Sequence, residues 1–264
     1  MTGLLISKFV MPESLWSWGL LSGSAVVAGI VNAVAGGGTL LTFPSLLAVV
    51  SPISANATST VALFPGTLFA GLGYRTELAR CKPHLIRLIP PSLCGGLIGS
   101  LLVTMLPEKV FANAVPWLLI VASVLLLLQK PLSKYFGAKP HEAPSRNTVI
   151  AIILFQFLVG IYGGYFGAGI GILMLSSLAF MGIPNIHEMN AVKSILAAAM
   201  NGVTIIVFIL KGAIVWKYAI VMAVAGAIGG YVGARVARKL RPDIVKAIVG
   251  CVGIGVAVYS WMKH

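Results

Sequence analysis

The chain has 264 residues, of which 58% are hydrophobic and 9% charged. A soluble globular chain carries roughly 25% charged residues, so the polar material here is too scarce to cover a water-facing surface. A soluble enzyme, a disordered chain and a secreted disulfide scaffold are excluded. The net charge of +13, from 19 Lys+Arg against 6 Asp+Glu, belongs to short loops that set orientation in a membrane chain and does not indicate a nucleic-acid partner.

At about 20 apolar residues per crossing, the length holds roughly eight to ten crossings and no soluble domain. Residues 1–15 form an N-terminal segment with Lys8 and Pro12. It lacks a convincing signal-peptide cleavage pattern, so the first long apolar run is expected to be retained. Apolar segments follow at 16–35, 39–50, 55–74, 84–105, 110–129, 148–166, 171–182, 189–210, 217–237 and 244–262. Two of them, 39–50 and 171–182, are short. Twelve helical residues reach about 18 Å, less than the roughly 30 Å hydrocarbon core. Each short segment follows a glycine cluster, Gly36-Gly37-Gly38 or Gly167-Ala168-Gly169, and such clusters break or bend helices. Pro44, Pro65 and Pro90-Pro91 are further kink positions.

The two halves are related. Residues 29–48 align with 160–179 at constant offset, and seven of the twenty pairs are identical, among them Gly29/Gly160, Gly36/Gly167, Gly38/Gly169 and Ser45/Ser176. After a three-residue insertion, Asn56-Ala57 matches Asn190-Ala191, and Gly95-Gly96 with Gly99 matches Gly229-Gly230 with Gly233. The organisation is therefore a first transmembrane repeat over 16–130, a polar linker over 131–147 and a second repeat over 148–264. If all five segments of each half cross, thirteen Lys/Arg fall on one side and five on the other. If the short segments are re-entrant, the basic clusters split between the two sides. The positive-inside rule favours the first arrangement. An odd number of crossings makes the repeats inverted and places both termini outside. The fold class is thus an all-α polytopic membrane protein with two inverted repeats of about five helical segments, each carrying a glycine-broken short helix. That is an architecture of secondary transporters.

The broken helices carry the first candidate site. A helix restarting inside the membrane presents free N–H groups and partial positive charge. Gly36, Gly37, Gly38 and Thr39 in one half, and Gly167, Gly169 and Gly171 in the other, form two candidate anion cradles; close helix packing is the other use of such glycines. The second candidate is the start of the third helix in each half, with Asn56, Thr58 and Ser59 or Asn190, Lys193 and Ser194. Helix capping explains the asparagines but not Lys193, since a lysine at a membrane-helix centre costs at least about 2.5–3.5 kcal/mol. Contact with an anionic substrate, pairing with Glu188 and snorkelling to the interface all remain open for it. Asn32, one turn before the first break, and Asn201 are polar groups facing the pathway or a neighbouring helix.

Catalytic motifs are absent: there is no H-E-x-x-H, G-x-S-x-G or phosphate-binding loop, and an enzyme is not indicated. The cysteines Cys81, Cys94 and Cys251 and the four histidines have no metal-ligand spacing, so neither metal nor cofactor is expected. Without a nucleotide site, energy comes from an ion gradient, with H+ or Na+ as coupling ion, or flow is passive. A passive anion channel and a non-transporting membrane partner subunit are the alternatives. Nothing in the sequence sets the oligomeric state.

The run Gly29 to Ser45 (GIVNAVAGGGTLLTFPS), followed by Ala55-Asn56-Ala57-Thr58-Ser59, resembles the sulfite exporter TauE/SafE family. That family has a small-residue helix ending in a glycine cluster, a short helix with proline, and an Ala-x-Ala-Thr-Ser element. Gly167-Ala168-Gly169 and Asn190-Ala191-Val192-Lys193 resemble its second repeat, with Tyr165-Phe166 as a departure before the break. The likeness covers almost the whole chain. It implies a permease of the bacterial-type plasma membrane, the cell inner membrane, acting on small sulfur oxyanions or organosulfonates such as sulfite, sulfoacetate or thiosulfate, or on related carboxylates.

Overall fold

The computed structural model describes residues 15–34, 37–73, 75–128, 146–181, 183, 186–236 and 242–262. Among them every regular element is a helix: α1 (Leu15–Val34), α2 (Thr39–Leu47), α3 (Pro52–Gly73), α4 (Arg75–Arg80), α5 (Lys82–Met105), α6 (Glu108–Leu127), α7 (Arg146–Tyr165), α8 (Ile170–Phe180), α9 (Ile186–Leu210), α10 (Trp216–Val236) and α11 (Pro242–Met262). Ten of these coincide with the ten apolar segments. The eleventh, α4, has the sequence RTELAR, too short and too polar to register as an apolar run. The N-terminal segment up to residue 14, Gly36 and nearly all of the linker lie outside the described residues, as does much of the 235–241 basic cluster.

Close helix packing rests on glycine. The α1 helix runs along α10, and α7 runs along α5. A Cβ on Gly29 of α1 would press on the Gly226 carbonyl and come within 2.7 Å of the Gly230 nitrogen. In the other contact, a Cβ on Gly95 of α5 would lie 2.8 Å from the Gly160 Cα, and one on Gly99 would lie 2.7 Å from the Tyr165 nitrogen. Gly29 pairs with Gly160 in the repeat alignment, and Gly95 with Gly229. The two contacts therefore exchange when repeat partners are exchanged. Lipid offers no hydrophobic drive for helices to associate, so close backbone approach through small residues supplies dispersion contact instead. Between these pairs, α3 and α9 pack on each other, and α6 packs on α11.

Polarity is arranged for lipid. Large apolar side chains such as Leu102, Trp117, Leu154, Leu158, Ile206, Ile220 and Ile228 lie on the outside. Thr42, Asn56, Thr58, Ser59, Ser92, Gln156 and Ser177 are buried. Six of the described helices are long and apolar enough to cross a membrane: those spanning Leu15–Asn32, Lys82–Met105, Glu108–Leu127, Arg146–Tyr165, His187–Leu210 and Ile244–Met262. The chain is a multi-pass membrane protein. A buried stripe of α6, Phe111, Val115, Leu119, Ala122 and Leu126, recurs at the helical three-to-four-residue spacing and forms the floor on which both short helices rest.

Candidate functional site

The first break is built by backbone geometry. Gly37 has φ +91°, a left-handed conformation that only glycine adopts without strain. The chain there turns so tightly that a Cβ on Gly38 would meet the Ala28 carbonyl oxygen at 2.8 Å. Asn32 reaches forward across the turn, and its Oδ1 accepts the Gly38 N–H at 2.8 Å. The Leu40 and Leu41 N–H groups bond to the Gly37 and Gly38 carbonyls. One predicted cradle donor, Gly38, is thus already taken by Asn32, whose role is to hold the break. Thr39 is half-buried in the first turn of α2. Further into α2, Thr42 Oγ1 and Ser59 Oγ of α3 share a hydrogen bond of 2.6 Å.

The second break uses two left-handed glycines, Gly167 at φ +80° and Gly169 at φ +76°. Tyr162 donates its hydroxyl to the Ala168 carbonyl at 2.8 Å and pins the loop. Gly171 opens the first turn of α8, and Lys193 of α9 lies over it: a Cβ there would stand 3.4 Å from Lys193 Cδ. The ammonium donates to Asn190 Oδ1 at 2.8 Å, one turn back on α9. Ser194 beside it is buried. Glu188, the alternative partner for Lys193, is instead 3.8 Å from Arg80 at the end of α4.

Both breaks rest on α6. A Cβ on Gly37 would touch the Leu126 side chain, and one on Gly169 would touch Ala122, one turn away on the same face. Aromatic rings fill the space between the short segments. Phe43 of α2 meets Phe166, the residue before Gly167, at 5.1 Å. Phe111 of α6 stacks on both rings and on Tyr165. Phe43, Phe111 and Phe166 are each at most 1% exposed. Asn56 ties α3 to the second break, its Nδ2 donating to the Tyr165 carbonyl at 2.9 Å. Its Oδ1 is buried and has no hydrogen-bond partner. Thr58 points elsewhere and accepts the Val215 N–H at 3.1 Å just before α10.

The aromatic plug and a buried polar chain, Ser92–Gln156–Ser177 across α5, α7 and α8, are absent from the sequence reading. The chain's signal in sequence is a lone glutamine in the apolar run of α7. The plug has none beyond scattered phenylalanines. Two cavities open on the described surface away from the breaks. One is an apolar groove of about 570 Å³ between α1 and α2. The other is a polar pocket of about 230 Å³ where α3 and α6 begin.

At the opposite end of α3 from that pocket, Arg80 and Glu188 join α4 to α9. Cys81 is buried beside them. Burial pushes its thiol pKa up, the Glu188 carboxylate adds to the rise, and the Arg80 guanidinium opposes it. Among the described residues no group of His, Cys, Asp and Glu has the arrangement of a metal site.

The sequence model of the sulfite exporter TauE/SafE family matches residues 21–260. The chain is 28% identical over 244 residues to a probable membrane transporter protein, ORF9, of Sinorhizobium sp., covering 89% of this chain and 88% of that one. It is 29% identical over 236 residues to the probable membrane transporter protein YfcA of Escherichia coli K12, covering 86% and 85%. It is 27% identical over 269 residues to the probable membrane transporter protein YunE of Bacillus subtilis, covering 89% and 96%. With about nine-tenths of its length matched by the family model, this chain belongs to the TauE/SafE family of membrane transporters.

Proposed function

We propose that the protein is a secondary transporter of a small anion, a sulfur oxyanion or organosulfonate of the sulfite, sulfoacetate and thiosulfate class, working by alternating access between two inverted repeats. The observation that carries this reading is the meeting of two glycine breaks on one face of α6, through Gly37 at Leu126 and Gly169 at Ala122, with Lys193 laid over the start of α8. Two restarted helices bring backbone dipoles of the same sign toward one region, and a lysine adds a full charge. A small anion is the solute such a field selects. The name of the family points to sulfite.

In this reading the anion takes hydrogen bonds from backbone N–H groups at Gly37 and Thr39 and at Gly169–Gly171, the Gly38 and Gly167 N–H groups being held by Asn32 and Tyr162, and from the hydroxyls of Thr39, Ser59 and Ser194. Lys193 leaves Asn190 to pair with it. Asn56 holds α3 on the second break, Asn32 holds the first break, and Thr58 fixes the start of α10. The buried rings of Phe43, Phe111 and Phe166 seal the space between the breaks, which favours a gated carrier over an open channel. Glycine contacts that exchange under the repeat support the rocking of one half against the other. A panel of sulfite, thiosulfate, sulfoacetate, ethanesulfonate and acetate, screened by calorimetry on the purified protein, tests the substrate. Saturable binding of a sulfur oxyanion, weakened in Lys193→Met, is expected. Binding of none of the panel, or unchanged binding in Lys193→Met, refutes the reading.

A further inference from the structure

The polar pocket of about 230 Å³ lies where α3 and α6 begin and α5 and α9 end, and Ser51, Ser54, Thr104, Glu108 and Lys211 line it. It is at the far end of α9 from Glu188. Those ends stand about 30–35 Å apart at 1.5 Å per residue, so pocket and Arg80–Glu188 pair sit toward opposite faces of the membrane. The two ends are in different states. Arg80 and Glu188 are paired at 3.8 Å. Glu108 and Lys211 share one cavity without ion-pair contact, and Glu108 Oε1 is buried with no hydrogen-bond partner. A buried carboxylate oxygen without a donor is a vacancy in the hydrogen-bond accounting of the site. Across the same cavity Lys211 is exposed, and its ammonium is in no ion pair among the described residues.

We propose that this pocket receives the small oxyanion from the Glu108 face, held by the Lys211 ammonium and the hydroxyls of Ser51 and Ser54, and that Glu108 is a tethered competitor for the same ammonium. The proposal rests on the anion-transport reading above. A carboxylate is itself a small oxyanion, so Glu108 and the substrate contend for one cation. The pocket as it stands is the open state; this face closes when Glu108 takes Lys211 and draws α6 against the end of α9. The volume fits the role: at about 30 Å³ per water, the pocket holds roughly seven waters, or one small oxyanion with part of its hydration shell.

The test is sulfite uptake into proteoliposomes of known protein orientation, with substrate supplied from the Glu108 face or from the Arg80 face. Removing the competitor in Glu108→Gln lowers the half-saturating concentration from the Glu108 face by about tenfold, a change of about 1.4 kcal/mol. Lys211→Gln raises it by a similar factor, Lys211→Arg preserves it, and the double variant follows Lys211→Gln. Half-saturation from the Arg80 face shifts far less in every case. Thermal unfolding in detergent checks that each variant is folded. Glu108→Gln weakening uptake as Lys211→Gln does would overturn the competitor role. No shift from the Glu108 face in any variant would overturn the pocket while leaving the transport reading standing. Wild-type protein that moves none of the anions would overturn both.

Discussion

Phe43 and Phe166 meet edge to face, with centroids 5.1 Å apart and planes at 85°. One belongs to the short helix after the first glycine break and the other directly precedes the second, so this ring pair is where the two interruptions touch. Edge-to-face packing is favoured by the ring quadrupoles, and Phe111 closes the cluster from α6. If the cluster is the barrier of the closed state, Phe43→Leu and Phe166→Leu keep the fold at a cost under about 1.5 kcal/mol and raise substrate-independent anion leak. Leak is read as dissipation of an imposed anion gradient in proteoliposomes. A leak equal to wild type in both variants places the barrier elsewhere.

In the proposed anion site, Lys193 supplies the charge on which substrate affinity is expected to depend. A hydrogen bond to a charged group contributes about 1.5–3 kcal/mol, so Lys193→Met weakens apparent affinity by roughly 10- to 100-fold. Lys193→Arg retains part of it. The apparent affinity in uptake assays, with surface expression measured in parallel, checks this. An expression defect without an affinity change assigns the lysine a purely structural role beside Asn190.

Asn56 bridges α3 to the second break through the Tyr165 carbonyl. In Asn56→Ala that carbonyl loses its donor, and a buried group left unsatisfied costs about 1–3 kcal/mol. The expected result is a lower unfolding temperature in detergent together with a lower transport rate. Asn56→Asp also removes the donor and adds a negative charge near the site, so its rate falls further than that of the alanine variant.

The glycine contacts separate packing positions from idle ones. Gly29→Leu and Gly99→Leu force side chains into the backbones of α10 and α7. Overpacking of this kind costs about 1–3 kcal/mol or more, and both variants are expected to lose folded protein on size-exclusion chromatography. Gly19 and Gly23 of α1 have open space where a Cβ would stand, so Gly23→Ala is expected to be neutral.

Cys81 reports on the Arg80–Glu188 end. Its thiol is buried and its pKa raised, so its thiolate appears only at a pH above the ordinary thiol range. In a Cys94→Ser, Cys251→Ser background, which removes the two exposed thiols, maleimide labelling of Cys81 is therefore slow at neutral pH and rises with pH later than for a free thiol. Arg80→Ala removes the ion pair that joins α4 to α9 beside the thiol, and labelling at neutral pH is expected to speed up as Cys81 becomes more exposed. The lost guanidinium acts in the opposite sense on the thiolate fraction, so acceleration reads opening specifically.

The sequence made the helices legible because apolar runs between breaks are a strong, local signal. It set the starts of α3 and α9 three residues late, at 55 and 189 against Pro52 and Ile186, and those of α5, α6, α7 and α11 two residues late, because the chain there opens on polar residues or proline. The glycine breaks were legible for the same local reason. What the residues around them bond to was not. Asn32, expected to face the pathway or a neighbouring helix, accepts the Gly38 N–H, and Thr58 accepts the Val215 N–H, 157 positions away. The aromatic plug assembles from α2, α6 and the second break, and no local pattern brings such rings together. Polar residues in an apolar helix announce that they have a partner; only the packing of distant helices says which one.

Alternate exposure of one anion site shows itself most directly in counterflow. Proteoliposomes loaded with a high concentration of unlabelled sulfite are diluted into medium containing a trace of radiolabelled sulfite. The account predicts transient accumulation of label above equilibrium, saturating with internal sulfite and abolished in Lys193→Met. Simple equilibration without overshoot, at a rate that does not saturate, would contradict a carrier.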